Sequence, residues 1–212
     1  MLDVKTDDNT PIEDIDIIGN PITETILFRY LLSNHWCRGK DVLDCACGHG
    51  AGTKILKVLG ANSVLGMDKS EIALQRATKY NVEGVCFVQG DLCEMSSEYD
   101  DSFDTIISIE TFEHLPPDKI GIYLDNLNRW CRKNGTIVIT TPRRRKDEWK
   151  YDGGTHLREY SLDEFVKVLS EHFNNTNVKL IGIQEVNFQS QLISVLTKDL
   201  YDARVIIAII EK

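Results

Sequence analysis

Asp44, Asp68 and Asp91 each follow a short apolar run: Val42-Leu43, then Ser63-Val64-Leu65-Gly66-Met67, then the run from Gly84 to Gln89 with Gly90. The first acid opens into Cys45-Ala46-Cys47-Gly48-His49-Gly50-Ala51-Gly52-Thr53, where glycine occupies every second position from 48 to 52. A strand that ends in such a turn and continues as a helix lets the backbone take positive φ. It also brings main-chain N–H groups against an anionic or nucleotide-like ligand. The spacing is not the G-x-G-x-x-G of a nicotinamide site, because position 53 is Thr. Asp68 stands twenty residues beyond Gly48, where an acid at a strand tip can accept both ribose hydroxyls of a nucleoside. Three acids at the carboxyl ends of successive parallel strands make a nucleoside cradle, whereas each taken alone reads as a cap or a turn residue.

A second group lies downstream, in Ser108-Ile109-Glu110-Thr111-Phe112-Glu113-His114-Leu115 and at His156. If 110–114 form a helical turn, Glu110, Glu113 and His114 share a face. His114 or His156 is the candidate general base, since imidazole titrates nearest neutral pH, and Glu110 is the candidate carboxylate beside it. The competing reading is structural: Glu113-His114 shapes a loop, and His156 packs on it through hydrogen bonds.

The elements that must carry these residues alternate strand and helix. Residues 22–35 read as an amphipathic leading helix with Ile22, Ile26, Leu27, Tyr30 and Leu31 on one face. The segment after Ser70 is helical to about Lys79, Phe103 to Ile109 is a fourth strand, and 117–133 is a helix stopped by Asn134-Gly135. Thr136 to Thr140 is a fifth strand, and Ser161-Leu162-Asp163-Glu164 is a capping box opening a helix to about Phe173. Runs 177–186 and 204–210 are expected to pair antiparallel at one sheet edge. Such alternation implies an α/β architecture with a mostly parallel sheet and helices on both faces.

The chain of 212 residues is 42% hydrophobic, enough for one domain with a full core. Its parts read as a leading helix or lid region (1–40), a cofactor-binding core (41–141), and a substrate loop, helix and terminal hairpin (142–212). No apolar run approaches a membrane span and no secretory leader is evident, so a cytoplasmic protein without a membrane partner is expected. The six cysteines read as small buried hydrophobes, and Cys45 and Cys47 as pointing to opposite faces. A net charge of −9 disfavours nucleic acid as a partner. The basic run Arg143-Arg144-Arg145-Lys146 reads either as a solvated loop or as a clamp for an anionic acceptor. Trp149 and Tyr151 either line an acceptor pocket or cover the core, and loop 142–160 is a candidate lid.

The stretch from Val42 to Gly50 resembles motif I of the class I S-adenosylmethionine-dependent methyltransferases, and the similarity extends over roughly residues 26–175. It implies a Rossmann-like, doubly wound sheet of seven strands in the order 3-2-1-4-5-7-6, with strand seven antiparallel. It further implies that Asp44, Ala46, Gly48 and Gly50 surround the methionine end of the cofactor. Asp68 with its neighbour Lys69 would meet the ribose, and Asp91 with Leu92 the adenine. Ser108, Ile109 and His114 would face the methyl group, with S-adenosylhomocysteine as product. Arg29-Tyr30 and the block His156-Leu157-Arg158-Glu159-Tyr160-Ser161 look like those of small-molecule and sugar O-methyltransferases. That points to a small-molecule acceptor and no metal.

The set Glu110, Glu113, His114 and His156 also resembles that of small-RNA 3′-terminal ribose 2′-O-methyltransferases. There the four hold a divalent ion against the terminal hydroxyls, which makes metal-dependent 2′-O-methylation of an RNA end the alternative. A non-catalytic cofactor-binding scaffold is the alternative from another class. Oligomeric state and acceptor identity are not written in any motif.

Overall fold

The computed structural model describes residues 21–79, 81–144, 154–173, 176–188 and 191–212. Arg145, Lys146, Trp149 and Tyr151, and with them most of the basic run and the aromatic pair, lie outside the described residues, as do residues 1–20 of the leading region.

Five strands run parallel: β1 (Asp41–Cys45), β2 (Ser63–Asp68), β3 (Val85–Gln89), β4 (Phe103–Ser108) and β5 (Cys131–Pro142). β8 (Val205–Glu211) lies antiparallel to β5, β6 (Asn177–Phe188) antiparallel to β8, and β7 (Gln191–Thr197) antiparallel to β6. Among the described residues the sheet has eight strands in the order β3-β2-β1-β4-β5-β8-β6-β7. The helices are α1 (Pro21–Cys37), α2 (Ala51–Val58), α3 (Glu71–Ala77), α4 (Ile120–Trp130) and α5 (Leu162–His172). No described helix is long and apolar enough to cross a membrane.

Strands buried on both faces read as continuous apolar runs, and successive residues serve opposite sides. Leu43, Ile106, Ile137 and Ile206 join the core under α4 and α5, while their neighbours Val42, Ile107, Val138 and Ile207 join the core under α1 and α2. Caps follow the sequence signals: Ser70 Oγ accepts from the Ala73 N–H, and Ser161 with Glu164 forms the reciprocal capping box at the start of α5.

Four expectations are corrected. The sheet has an eighth strand: Gln191–Thr197 forms β7 at the edge, so the antiparallel β8 is interior and flanked by β5 and β6. Asn134-Gly135 does not stop a helix. α4 ends at Trp130, and Asn134, at φ 65, lies inside β5, where the pairing with β4 jumps from Phe103↔Cys131 to Thr105↔Thr136. α1 buries the predicted apolar face only in part: Tyr30 is buried and Ile26 packs against the core, but Leu31 is 48% exposed, and Thr25, Arg29, Ser33 and Cys37 form a buried stripe beside it. Finally, 110–114 is not one helical turn: Glu110 has φ 48 and a short 3₁₀ turn spans Phe112–His114.

Phe112 anchors that turn. It is fully buried and meets the rings of Tyr123, Tyr160 and Phe165 edge-on at 6.0, 4.9 and 5.1 Å. Phe112→Ala is expected to lower unfolding free energy by about 3–5 kcal/mol, the usual cost of emptying a buried aromatic site. Urea denaturation measures it, and a loss below ~1 kcal/mol would contradict the anchoring role.

Candidate functional site

The turn after β1 is held from three sides. Asp44 is fully buried and accepts hydrogen bonds from the Tyr30 hydroxyl at 3.1 Å and the Thr53 hydroxyl at 2.6 Å. Burial pushes its carboxyl up to about 7; the Thr53 and Tyr30 bonds oppose this, and the charge of Asp68 adds to it. Tyr30 also covers Gly52 so closely that a Cβ there would fall 2.0 Å from its ring. Ala46 at φ 53 and Gly48 at φ 54 then turn the chain outward. The Gly48 N–H donates to Asp68 Oδ2 at 2.8 Å and the Ser70 N–H to Asp68 Oδ1 at 2.9 Å, so the tip of β2 is locked to the glycine turn.

A cavity of about 430 Å³ opens at the carboxyl ends of β1 to β4. Of the residues expected at a cofactor site, Ala46, Asp68, Lys69, Asp91 and Leu92 line it, together with the catalytic candidates Glu110 and His114. Leu115 adds a second apolar wall, and Thr111 and Lys119 lie near it on the rim. Acids at two strand tips, a glycine turn and apolar plates fit a nucleoside-bearing cofactor: carboxylates accept from hydroxyls or an amine, and the leucines cover a base. The other expected residues sit behind this wall. Asp44 faces Tyr30 and Thr53, Ser108 takes a hydrogen bond from Tyr123 at 2.7 Å, and Ile109 belongs to the core under α1. Gly50, at φ 75, precedes α2 and backs onto Phe87. These shape the cradle from below.

Glu110 and Glu113 do not share a face, because β5 sorts them. Adjacent strand residues point to opposite sides. Thr140 donates to Glu110 Oε1 at 2.8 Å, and Thr141 donates to Glu113 Oε2 at 3.0 Å. Glu110 thereby turns toward α1, where Arg29 Nε lies 3.4 Å from Oε1. Glu113 turns toward the segment before α5, whose Leu157 and Arg158 N–H groups both donate to its main-chain oxygen. Its Oε1 is buried with no hydrogen-bond partner. Burial first, and then the Glu110 carboxylate, hold the Glu113 carboxyl well above the usual range.

Beside it, the His114 and His156 rings meet edge-on with centroids 4.9 Å apart. His114 Nδ1 lies 2.9 Å from the Thr155 carbonyl oxygen, and His156 Nδ1 lies 2.9 Å from Glu159 Oε1. Glu113, His114 and His156 each offer one ligand atom, all within 4.8 Å of one another. Three of the four residues named for a metal therefore converge, and Glu110 stands apart. The clamp reading of the basic run is also narrowed. Arg143 Nε donates to the Ala203 carbonyl at 2.8 Å and Arg144 pairs with Glu164 at 2.9 Å, so both serve the fold. The sequence reading missed Arg29 and the Thr140-Thr141 pair as site residues. For Arg29 the signal was its place in the Arg29-Tyr30 pair of the resemblance, which named no partner for it; for the threonines it was polar character at a strand end.

Residues 42–135 match a family model described as a methyltransferase domain. The chain is 29% identical over 146 residues to ribosomal protein L11 methyltransferase of Thermosipho melanesiensis, covering 60% of this chain and 53% of that one. It is 31% identical over 116 residues to a fatty-acid O-methyltransferase of Mycolicibacterium smegmatis, covering 53% and 41%. The chain spans about half the length of the curated relatives it matches. Among solved structures it is similar in fold to a SAM dependent methyltransferase from Archaeoglobus fulgidus, with a TM-score of 0.67 at 20% identity over 90% of this chain and 93% of that one.

Two outcomes are expected. Asp68→Ala should weaken S-adenosylhomocysteine binding by about 1.5–3 kcal/mol, the range for hydrogen bonds to a charged group; an unchanged dissociation constant by calorimetry would remove Asp68 from the cradle. The Asp44 carboxyl moves from 3.8 to about 7 on folding, so its contribution to stability is complete below about pH 4 and is lost as pH rises to about 7. The difference in urea midpoint between wild type and Asp44→Asn should accordingly change across that window and be flat above it.

Proposed function

We propose that this chain, a class I S-adenosylmethionine-dependent methyltransferase by its domain match and its fold, methylates an oxygen of a small or sugar-like metabolite. One observation carries the reading. The acid-lined cradle and the His114 turn open into a single cavity, so a bound cofactor and an imidazole reach the same space. Relatives that include a fatty-acid O-methyltransferase support oxygen as the acceptor atom.

S-adenosylmethionine supplies a methyl group on a positively charged sulfur. The chain's own residues do the rest. Asp68 and Asp91 take the hydroxyl and amine donors of the nucleoside, and the turn at Ala46 to Gly48 brings the backbone close to the methionine end. Holding acceptor and donor in line in a cavity with apolar walls supplies much of the acceleration. An attacking hydroxyl must also lose its proton. The Thr155 carbonyl only accepts, so it holds the hydrogen of His114, a residue of the cavity wall, on Nδ1 and leaves the Nε2 lone pair, 3.8 Å from Glu113 Oε1, as the proton acceptor. Lys69 and Lys119 on the same wall add positive charge for an anionic acceptor.

A second reading is favoured by the convergence of Glu113, His114 and His156. Two imidazoles and a carboxylate suit a divalent ion such as Mn²⁺, which would polarise a ribose hydroxyl at an RNA end. Calorimetric titration of Mn²⁺ into protein saturated with S-adenosylhomocysteine separates the two. One-site binding that is lost in Glu113→Ala and His156→Ala and kept in Glu110→Ala would establish the metal reading. Absence of a specific heat would leave the metal-free enzyme. In a screen of glycosides and polyphenols, His114→Ala is expected to lower kcat by about 10²- to 10⁴-fold at unchanged KM for S-adenosylmethionine. An unchanged kcat would remove His114 as the base.

A further inference from the structure

We propose that Glu159 is the positioning residue of this site: its carboxylate holds the hydrogen of His156 on Nδ1 and thereby turns the Nε2 lone pair into service. The proposal rests on the reading of the His114 and His156 side as the acceptor side. It accounts for the one charged residue of the block 156–161 that neither the fold nor the cradle uses.

A neutral imidazole has one N–H and one lone pair, and the partner of one nitrogen fixes the role of the other. His114 has its partner in a main-chain oxygen, which can only accept. His156 has no such carbonyl among its described contacts; its Nδ1 partner is Glu159 Oε1 at 2.9 Å. The carboxylate is not left to a loose surface chain, because the backbone around it is pinned on both sides. Leu157 and Arg158 donate to the Glu113 carbonyl, Tyr160 accepts from the Arg144 N–H, and Ser161 caps α5. The two imidazoles thus receive the same treatment from different chemical groups, and both face Glu113, whose buried Oε1 takes no hydrogen bond and lies 3.8 Å from His114 Nε2. Outer-sphere carboxylates of this kind fix the tautomer and orientation of a working imidazole, whether it takes a proton or a metal.

The test reads the tautomer directly, without an acceptor. Long-range ¹H–¹⁵N correlation spectra of the histidine side chains are recorded at about pH 8.5, where free imidazole is neutral, for wild type, Glu159→Gln and Glu159→Leu. Wild type should show Nδ1–H for both His114 and His156. Glu159→Gln, whose amide oxygen still accepts, should keep it. Glu159→Leu should shift His156 to the Nε2–H form while His114, held by Thr155, stays unchanged. A His156 tautomer that is the same in Glu159→Leu as in wild type overturns the proposal, and so does a shift of both imidazoles, which would report general loosening of the segment. Calorimetry with S-adenosylhomocysteine on the same samples keeps the two readings apart: absence of binding would sink the methyltransferase reading and leave the tautomer result standing. With an acceptor from the screen, Glu159→Leu should lower kcat on the order of tenfold at unchanged KM for S-adenosylmethionine; an unchanged kcat overturns the positioning role.

Discussion

β1, β4, β5 and β8 are covered by helices or loops on both faces, and most of their side chains are buried. Polar chemistry is therefore driven to the strand ends, where the backbone leaves the sheet and its N–H groups come free. Asp68, Asp91 and Glu110 all stand within two residues of such an end, and all three line the same cavity. The lock between the Gly48 N–H and Asp68 follows from the same constraint. Two parallel neighbours end side by side, and the turn of one supplies the donor for the acid of the other.

The strand period then divides the site. Thr140 and Thr141 differ by one position along β5, and that difference sends Glu110 toward Arg29 and Glu113 toward the histidines. The two carboxylates end in different electrostatic settings despite lying three residues apart. One has an arginine beside it, and the other is buried with an imidazole 3.8 Å from an oxygen that takes no hydrogen bond. Left-handed backbone at Ala46 and Glu110 places its conformational cost on the cavity wall.

The strand-tip acids and the glycine turn were legible in the sequence because each belongs to a local strand and turn, whose meaning is carried by neighbours in the chain. The capping box at Ser161 was legible for the same reason. Asp44 was less so. Its carboxylate is turned away from the cavity by Tyr30, a residue fourteen positions back on another element. The parting of Glu110 and Glu113 could not be read from their own spacing, since the deciding hydroxyls come from β5. The Asn134-Gly135 pair carries the composition of a helix stop and serves instead as an irregularity in a strand. β7 was missed because no turn signal in the sequence sets it off from β6.

Helix α1 presents two consecutive side chains to two separate turns. Arg29 reaches Glu110 after β4, and Tyr30 reaches Asp44 after β1 while covering Gly52. The glycine turn is thus not a self-contained piece of the parallel sheet. Any excision, graft or recombination breakpoint placed between α1 and β1 would deliver a core with the glycine turn uncovered and Glu110 stripped of its arginine. The smallest transplantable module begins before Arg29.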